Sequence, residues 1–422
     1  MKKLAIFLLA FTISTSLFAY DFKVGNLYYN ITSRFEPYTV EVTYQEYPSV
    51  TNYAGVTDVV VPETVTYEDT TYAVTAIGIS AFYESKSITS IQLPSTITTI
   101  GDSVFYNCPS LRTANIPEGI LIIPPQSFYN CTSLSSMIIP NSVVIISESA
   151  FWGCTSLSSI TLGENVGEIA ENAFRKCTSL SSLVLPSALV SLGKTAFYGC
   201  SSLTSITLSA AITTIGEKVF EGCTSLSSIM VEETNVKYDS RDNCNAIIET
   251  ATNTLLMGCQ NSVIPVDVTS IAQNAFSGCS GLTSIVIPDA VTYIGEYAFS
   301  LCTSLEEVKM GKGIDSIADK AFSGCSSLTS VTCEAVELPR LGYYVFWFVP
   351  VANATLHVPE CSLEAYKEAD QWKNFGTIVP LPNTALKTTN GTHSQSQKVW
   401  HNGQLLIHSN GKKYNIMGIE VK

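Results

Sequence analysis

The residues of this chain that could do covalent or metal chemistry are 13 cysteines, 4 histidines and a dense population of serines. A thiol or hydroxyl nucleophile needs a base beside it, and imidazole is the usual one. All the histidines (His357, His393, His401 and His408) lie near the C-terminus, beyond the stretch that carries most of the cysteines. No phosphate-cradling glycine loop and no paired-cysteine zinc spacing occurs. Asp239, Asp242, Asn243 and Asn245 offer oxygens for a calcium loop, but the glycine and terminal glutamate of an EF-hand are missing. Turn chemistry is the expectation there. Two carboxylates from distant segments could form a glycosidase-like pair, which sequence spacing does not reveal. The reading is of a non-enzyme with no catalytic residue, cofactor or metal.

What positions these residues is a fixed beat. Phe105, Phe128, Phe151, Phe174, Phe197 and Phe220 are evenly spaced, in phrases such as Ala150-Phe151-Trp152-Gly153-Cys154 and Ala196-Phe197-Tyr198-Gly199-Cys200. Phe82 precedes them, and Phe276, Phe299 and Phe322 resume the rhythm. A constant period of this length predicts a solenoid, each coil one supersecondary unit stacked on the next. Cys108, Cys131, Cys154, Cys177, Cys200, Cys223, Cys279, Cys302 and Cys325 each follow a phenylalanine by three residues, and Ser85 takes that place in the first coil. One small residue per coil at a constant place predicts a ladder of buried free thiols. Stacked rungs also bring Cα atoms into disulfide range, so bridging stays open.

Phrases such as Leu203-Thr-Ser-Ile206-Thr-Leu208 and Leu282-Thr-Ser-Ile285-Val-Ile287-Pro288 read as short strands, β-branched and closed by proline or a turn. A second extended piece follows, as in Ala211-Ile212-Thr-Thr-Ile215. One coil cannot bury enough apolar surface to offset its own ordering, so coils must come in rows with caps.

The pattern Leu-x-x-Ile-x-Leu-Pro-x-x-Val-x-x-Ile-Gly-x-x-Ala-Phe-x-x-Cys, from about Ile77 to Phe346, resembles the BspA-like branch of leucine-rich-repeat proteins of Bacteroides-type bacteria. The resemblance implies a β-rich leucine-rich-repeat solenoid: right-handed coils with a parallel sheet, short helical turns and β caps at both ends. It also implies cell-surface exposure and an adhesive or binding role, and no particular ligand.

The expected organisation runs in six parts. Residues 1–19 read as a signal peptide, with Lys2 and Lys3 before the apolar run Leu4–Ile13 and a small-residue site at Leu17-Phe18-Ala19. Residues 20–76 read as an N-terminal β cap and 77–355 as the solenoid. Within it, 233–260 is a predicted hairpin, because the step from Phe220 to Phe276 is longer than two coils. If Glu249 pairs with Thr254, the register sets Cys244 opposite Cys259, the best disulfide candidate; a one-residue slip would part them. Residues 356–382 resemble the family's closing cap, and 383–397 read as a linker. Residues 398–422 read as a β meander with hairpin turns at Asn402-Gly403 and Asn410-Gly411. That tail resembles, in shortened form, the modules that sort Bacteroides-type proteins to the outer surface; a simple extra β patch is the alternative.

A formal net charge of −13 sets aside nucleic acid and anionic lipid as partners. After the leader no stretch approaches the ~20 apolar residues of a membrane span. The leader and the family resemblance together imply a secreted protein at the outer-membrane exterior of a Gram-negative bacterium.

Two surfaces are candidates for binding. Tyr83, Tyr106, Tyr129, Trp152 and Tyr198 follow their phenylalanines directly and should form an aromatic ridge, with Arg175 interrupting it. The ridge could stack on sugars or simply pad the coils. Between the last strand aliphatics, Gln92, Asn115, Ile138, Thr161, Val184, Thr207, Met230, Val286 and Lys309 should face outward. Ile138, Val184, Met230 and Val286 make that row partly apolar, fit for a protein partner or merely solvated. The expected function is adhesion to a host or matrix protein; glycan capture on the ridge and a purely structural envelope role are the alternatives.

Overall fold

The computed structural model describes residues 20–45, 53–381, 397–401, 404–409, 412–414 and 420–421. The expected leader at 1–19, nearly all of the linker and both Asn-Gly turns lie outside the described residues. The chain divides into two units, residues 1–380 and 381–422.

In the first unit each coil has three sides, and each side is hydrogen-bonded to the next coil. The first side is a short strand, such as Ser136–Ile138, Ser159–Thr161, Ser205–Leu208 or Ser228–Val231. These pair in parallel, with Ile138 beside Thr161 and Thr207 beside Met230. The second side is a two-residue strand, as in Ile122–Ile123, Ile145–Ile146, Glu168–Ile169 and Ser191–Leu192, again parallel. Alternation buries one face of each strand and exposes the other, as a pleated ladder with one covered face requires. Leu180–Pro186 repeats the strand phrase but forms no strand, although Leu183 and Leu185 remain buried. The apolar pattern survives there while the ladder opens.

The third side carries the phenylalanine. Its amide and those two residues before and after donate to the following coil, for example Ser149 to Glu171, Phe151 to Ala173 and Gly153 to Arg175, at 2.8–3.0 Å. The residues two before and two after the ring take left-handed φ, as Ser149 and Gly153 do at 56° and 74°. Polar residues and glycine occupy these places in most coils, because they tolerate that conformation best.

The rings stack in two columns. Centroids from Phe82 to Phe220 are 5.1–5.7 Å apart, and from Phe276 to Phe346 they are 4.9–5.8 Å apart. Tyr53 closes the first end at 4.8 Å; Trp372 and Phe375 close the other at 5.5 and 5.2 Å.

The cysteines beside these columns are free. Each ladder thiol but that of Cys279 donates to the phenylalanine carbonyl of the coil before it: Cys108 to Phe82 at 3.0 Å, Cys131 to Phe105 at 3.1 Å, Cys177 to Phe151 at 3.2 Å, and so on to Cys325. A cysteine is thus small enough for the interior and still satisfies a buried carbonyl. In the first coil, where no coil precedes, the buried Ser85 hydroxyl has no partner. Burial pushes the thiols of Cys108, Cys200, Cys279 and Cys325 up to about 12 and raises the other rungs as well. Reactive cysteines are accessible thiolates. A maleimide at neutral pH should therefore label the native protein once, at the exposed Cys361. Complete labelling should require denaturant; mass spectrometry showing several adducts on the folded chain would contradict the buried ladder.

The hairpin corrects one expectation. Ala246–Glu249 and Thr254–Gly258 run antiparallel, and Glu249 does pair with Thr254. A bulge then shifts the register: Ile248 faces Leu255, but Ile247 faces Met257. Cys244 and Cys259 are therefore out of register, both free, and buried in different core clusters. No disulfide joins them. A bulge adds one residue to one strand and leaves the apolar pattern legible on either side.

The same coil lacks a phenylalanine. Gly258 accepts the Cys279 thiol on its carbonyl at 3.7 Å, and a Cβ there would enter the Phe276 ring. Among the described residues no ring contact joins Phe220 to Phe276, and the apolar core divides at this level. Arg241 ties the hairpin down, bonding Asp239 at 2.6 and 2.9 Å, Asn253 at 3.0 Å and Asp267 at 2.5 Å. Asp239 is thereby committed to a guanidinium, while Asp242, Asn243 and Asn245 adopt left-handed turn conformations. Turn chemistry accounts for this segment.

At the N-terminal end, Asp58–Val60 pairs with Ser90–Gln92 and Thr70–Ile77 with Thr99–Ile100, both in parallel. Those flanking strands thus supply the first rung of both ladders and cover what would be open edges. At the other end, Thr355–Val358 and Thr377–Pro380 extend the first ladder. Helix Leu363–Glu368 buries Tyr366, whose hydroxyl donates to the Ala335 carbonyl at 3.0 Å. The second unit contains four antiparallel strands, Gln397–His401, Gln404–Ser409, Lys412–Tyr414 and Glu420–Val421.

Candidate binding surfaces

The predicted ridge forms, and its rings face one another. Tyr83 stacks on Tyr106 at 4.9 Å, Tyr106 on Tyr129 at 4.6 Å, and Tyr129 lies 5.5 Å from Trp152. Arg175 fills the gap that the sequence showed, its guanidinium 4.7 Å from Trp152 and 4.1 Å from Tyr198. Cation–π contacts of ~1–2 kcal/mol make the arginine a rung, not an interruption. Stacking for a sugar needs an open ring face, and here the faces are used between coils while edges meet solvent. The geometry favours padding over capture.

The first-ladder row does face outward. Val184 is 85% exposed, Ile138 71%, Val286 60% and Met230 47%. Val60 of the flanking strand Asp58–Val60 adds one more exposed aliphatic. Asn115 is consumed internally, its amide donating to the Leu93 carbonyl at 2.8 Å and accepting its amide at 2.7 Å, as a strand residue would. A hollow of about 420 Å³ lies beside it, bounded by Asn115, Glu118, Ile138 and Pro140. The row stays uncharged until Lys309, which pairs with Glu334 at 3.0 Å.

Two apolar surfaces were missed by the sequence reading. Leu121, Ile122, Val144 and Val190 stand exposed together on the second ladder. The second lies at the C-terminal end, where Tyr343, Tyr344, Trp347 and Phe348 are all exposed. Trp347 directly follows Phe346 and so occupies a ridge position, a signal that was available. The hydroxyls, by contrast, mostly run in ladders of coil-to-coil bonds, such as Thr155 to Thr132 and Thr178 to Thr155. Among the described residues no His, Cys, Asp and Glu group is arranged to hold a metal ion, and no helix is long and apolar enough to cross a membrane.

Residues 63–177, 145–255 and 254–364 match the family model described as BspA type leucine rich repeat region. The chain belongs to this BspA-type leucine-rich-repeat family. The expected solenoid class is thereby shown, and so is the family read from the repeat. Solved structures are similar along most of the length. A leucine-rich repeat protein from Bacteroides ovatus is 26% identical, covering 86% of this chain and 100% of its own, with a TM-score of 0.55. A leucine rich cell surface protein from Faecalibacterium prausnitzii is 23% identical over 86% and 95%, TM-score 0.58. The pneumococcal vaccine antigen PcpA is 19% identical over 81% and 82%, TM-score 0.53. With the last two the likeness is one of fold alone. No curated protein matches the sequence.

Proposed function

We propose that this BspA-type protein is exported to the cell surface and binds a host or extracellular-matrix protein along the outer face of its first ladder. The observation that carries this reading is the row of exposed aliphatics at Ile138, Val184, Met230 and Val286, uncharged in a strongly acidic protein. Extended solenoid faces suit extended partners. An aliphatic row needs a surface without competing charge, since burying unpaired charge at an interface core is costly. Export rests on the N-terminal leader pattern, and surface display on the family.

The test is a binding screen of the full chain against an array of matrix proteins, followed by titration of Ile138→Asp and Val184→Asp. Saturable binding that each substitution weakens about tenfold or more, as central anchors do, is the expected result. Side chains so exposed contribute little to folding, so circular dichroism should stay unchanged. Silence on the array, or binding indifferent to both substitutions, would leave the adhesive reading without support.

A further inference from the structure

The C-terminal aromatic cluster differs from the ridge in ways that padding does not explain. In the last coil the two left-handed positions, held elsewhere mostly by serine, threonine, asparagine or glycine and by Tyr297 and Leu301 in the coil of Phe299, carry Tyr344 and Phe348, both at φ 57°. Large side chains accept that conformation at a cost. Neither is recompensed by burial, since Phe348 is 73% exposed and Tyr344 is also exposed. Tyr343 is 75% exposed. Trp347 lies 4.5 Å from Phe348 and 5.5 Å from Tyr344, with the Tyr344 and Trp347 planes 38° apart. Trp347 and Phe348 stack with planes 20° apart, while Tyr344 tilts away from Trp347 as Trp152 tilts 34° from Tyr129 where the parallel Tyr83, Tyr106 and Tyr129 run of the ridge ends.

Tyr343, Tyr344, Phe346 and Trp347 line one wall of a cleft of about 360 Å³, and Phe348 backs Trp347 outside it. Asp370, Gln371 and Asn374 form the other. Gln371 fixes the distance between the walls: its amide donates to the Gly342 carbonyl at 2.7 Å and accepts the Val345 amide at 2.9 Å. The carboxylate of Asp370 lies 3.3 Å from Lys373 and is widely exposed, as is Asn374. The cleft is therefore preformed, aromatic on one side and hydrogen-bonding on the other.

We propose that this cleft binds a neutral hexopyranoside, a mono- or disaccharide unit of a larger glycan. A pyranose ring presents C–H groups on one face, which suit an aromatic wall, and hydroxyls at its rim, which suit a carboxylate and an amide. The volume lies at the small end of the ~300–1,000 Å³ of ligand pockets, enough for one or two sugar rings. A carboxylate in the lining and a net charge of −13 oppose sulfated or sialylated sugars. This site lies apart from the aliphatic row and does not depend on it.

The test uses the full chain on an array of neutral and acidic oligosaccharides, then calorimetric titration with cellobiose, maltose and lactose. Expected is binding of a neutral sugar that Tyr343→Ala and Trp347→Ala each weaken about tenfold or more, an aromatic contact being worth about that factor. Tyr106→Ser on the ridge and Val184→Asp on the ladder should leave it unchanged. No binding of any neutral sugar, binding of acidic sugars alone, or binding indifferent to both cleft substitutions would overturn the proposal. Matrix-protein binding abolished by Tyr343→Ala, without sugar binding, would reassign the cluster to a protein partner and overturn it equally. Circular dichroism of the two variants shows that the exposed rings were removed from a folded chain.

Discussion

Raising the pH from about 8 to about 10.5 should unfold the solenoid cooperatively, the loss of stability beginning below the ordinary titration range of tyrosine and lysine. Unfolded thiols ionise near 8.5, whereas burial penalises the thiolate and raises the ladder thiols, those of Cys108, Cys200, Cys279 and Cys325 to about 12 and the others in the same direction. Below about pH 8.5 both states keep their protons and the contribution is complete. Above it the unfolded chain holds fewer protons than the native one, so stability falls as pH rises, until the native thiols themselves begin to ionise. Each thiol costs about 1.4 kcal/mol per pH unit, or about 2 kcal/mol by pH 10. Nine such rungs together withdraw on the order of 20 kcal/mol, more than the whole stability of an ordinary domain. Tyr29, lifted to about 12 by burial, and Tyr53, raised by the same cause, act in the same direction at higher pH. Ellipticity followed from pH 8 to 11 reads the midpoint. Replacing Cys131, Cys154 and Cys177 together with serine, which Ser85 shows the position to accept, should move that midpoint upward. An unmoved midpoint would place the alkaline sensitivity elsewhere.

Phe174→Ala should produce the largest loss from a single side chain. Phe174 is fully buried between Phe151 at 5.3 Å and Phe197 at 5.4 Å. Removing the ring leaves a cavity and two unstacked faces, a cost of about 3–5 kcal/mol. In a linear array that loss falls on the coupling between neighbours, not on one coil. Urea unfolding should change from one transition to two, as the coils before and after position 174 lose their hold on each other. Phe220→Ala is the internal comparison. Phe220 stacks on Phe197 at 5.7 Å and meets no ring on its other side among the described residues, so its loss should cost clearly less. Equal destabilisation by the two substitutions would mean that the ring column does not carry the coupling.

What could be read from the sequence was whatever repeats identically. The phenylalanine column, the thiol rungs and the outward row at Ile138 and Val184 follow from period and alternation alone, because every coil states them again. Features that occur once were hidden. The bulge that parts Cys244 from Cys259 adds a residue without disturbing the apolar pattern. Arg175 looked like a break in the ridge because residue type was visible and its place between two rings was not. The open ladder at Leu180–Pro186 has the same phrase as its neighbours. Tyr344 and Phe348 became informative only once their backbone was seen to be left-handed, since aromatic residues abound throughout this chain.

The division of the core at the hairpin has a mechanical meaning. Coils pulled apart along the stacking axis separate by peeling, since their strands run across that axis and part a few bonds at a time. The column of rings resists this evenly, except between Phe220 and Phe276, where Gly258 offers no ring and the Arg241 contacts to Asp239, Asn253 and Asp267 bridge the hairpin and the next coil. Tension on a tethered molecule would be released there first, in one short extension, sparing the coils on either side.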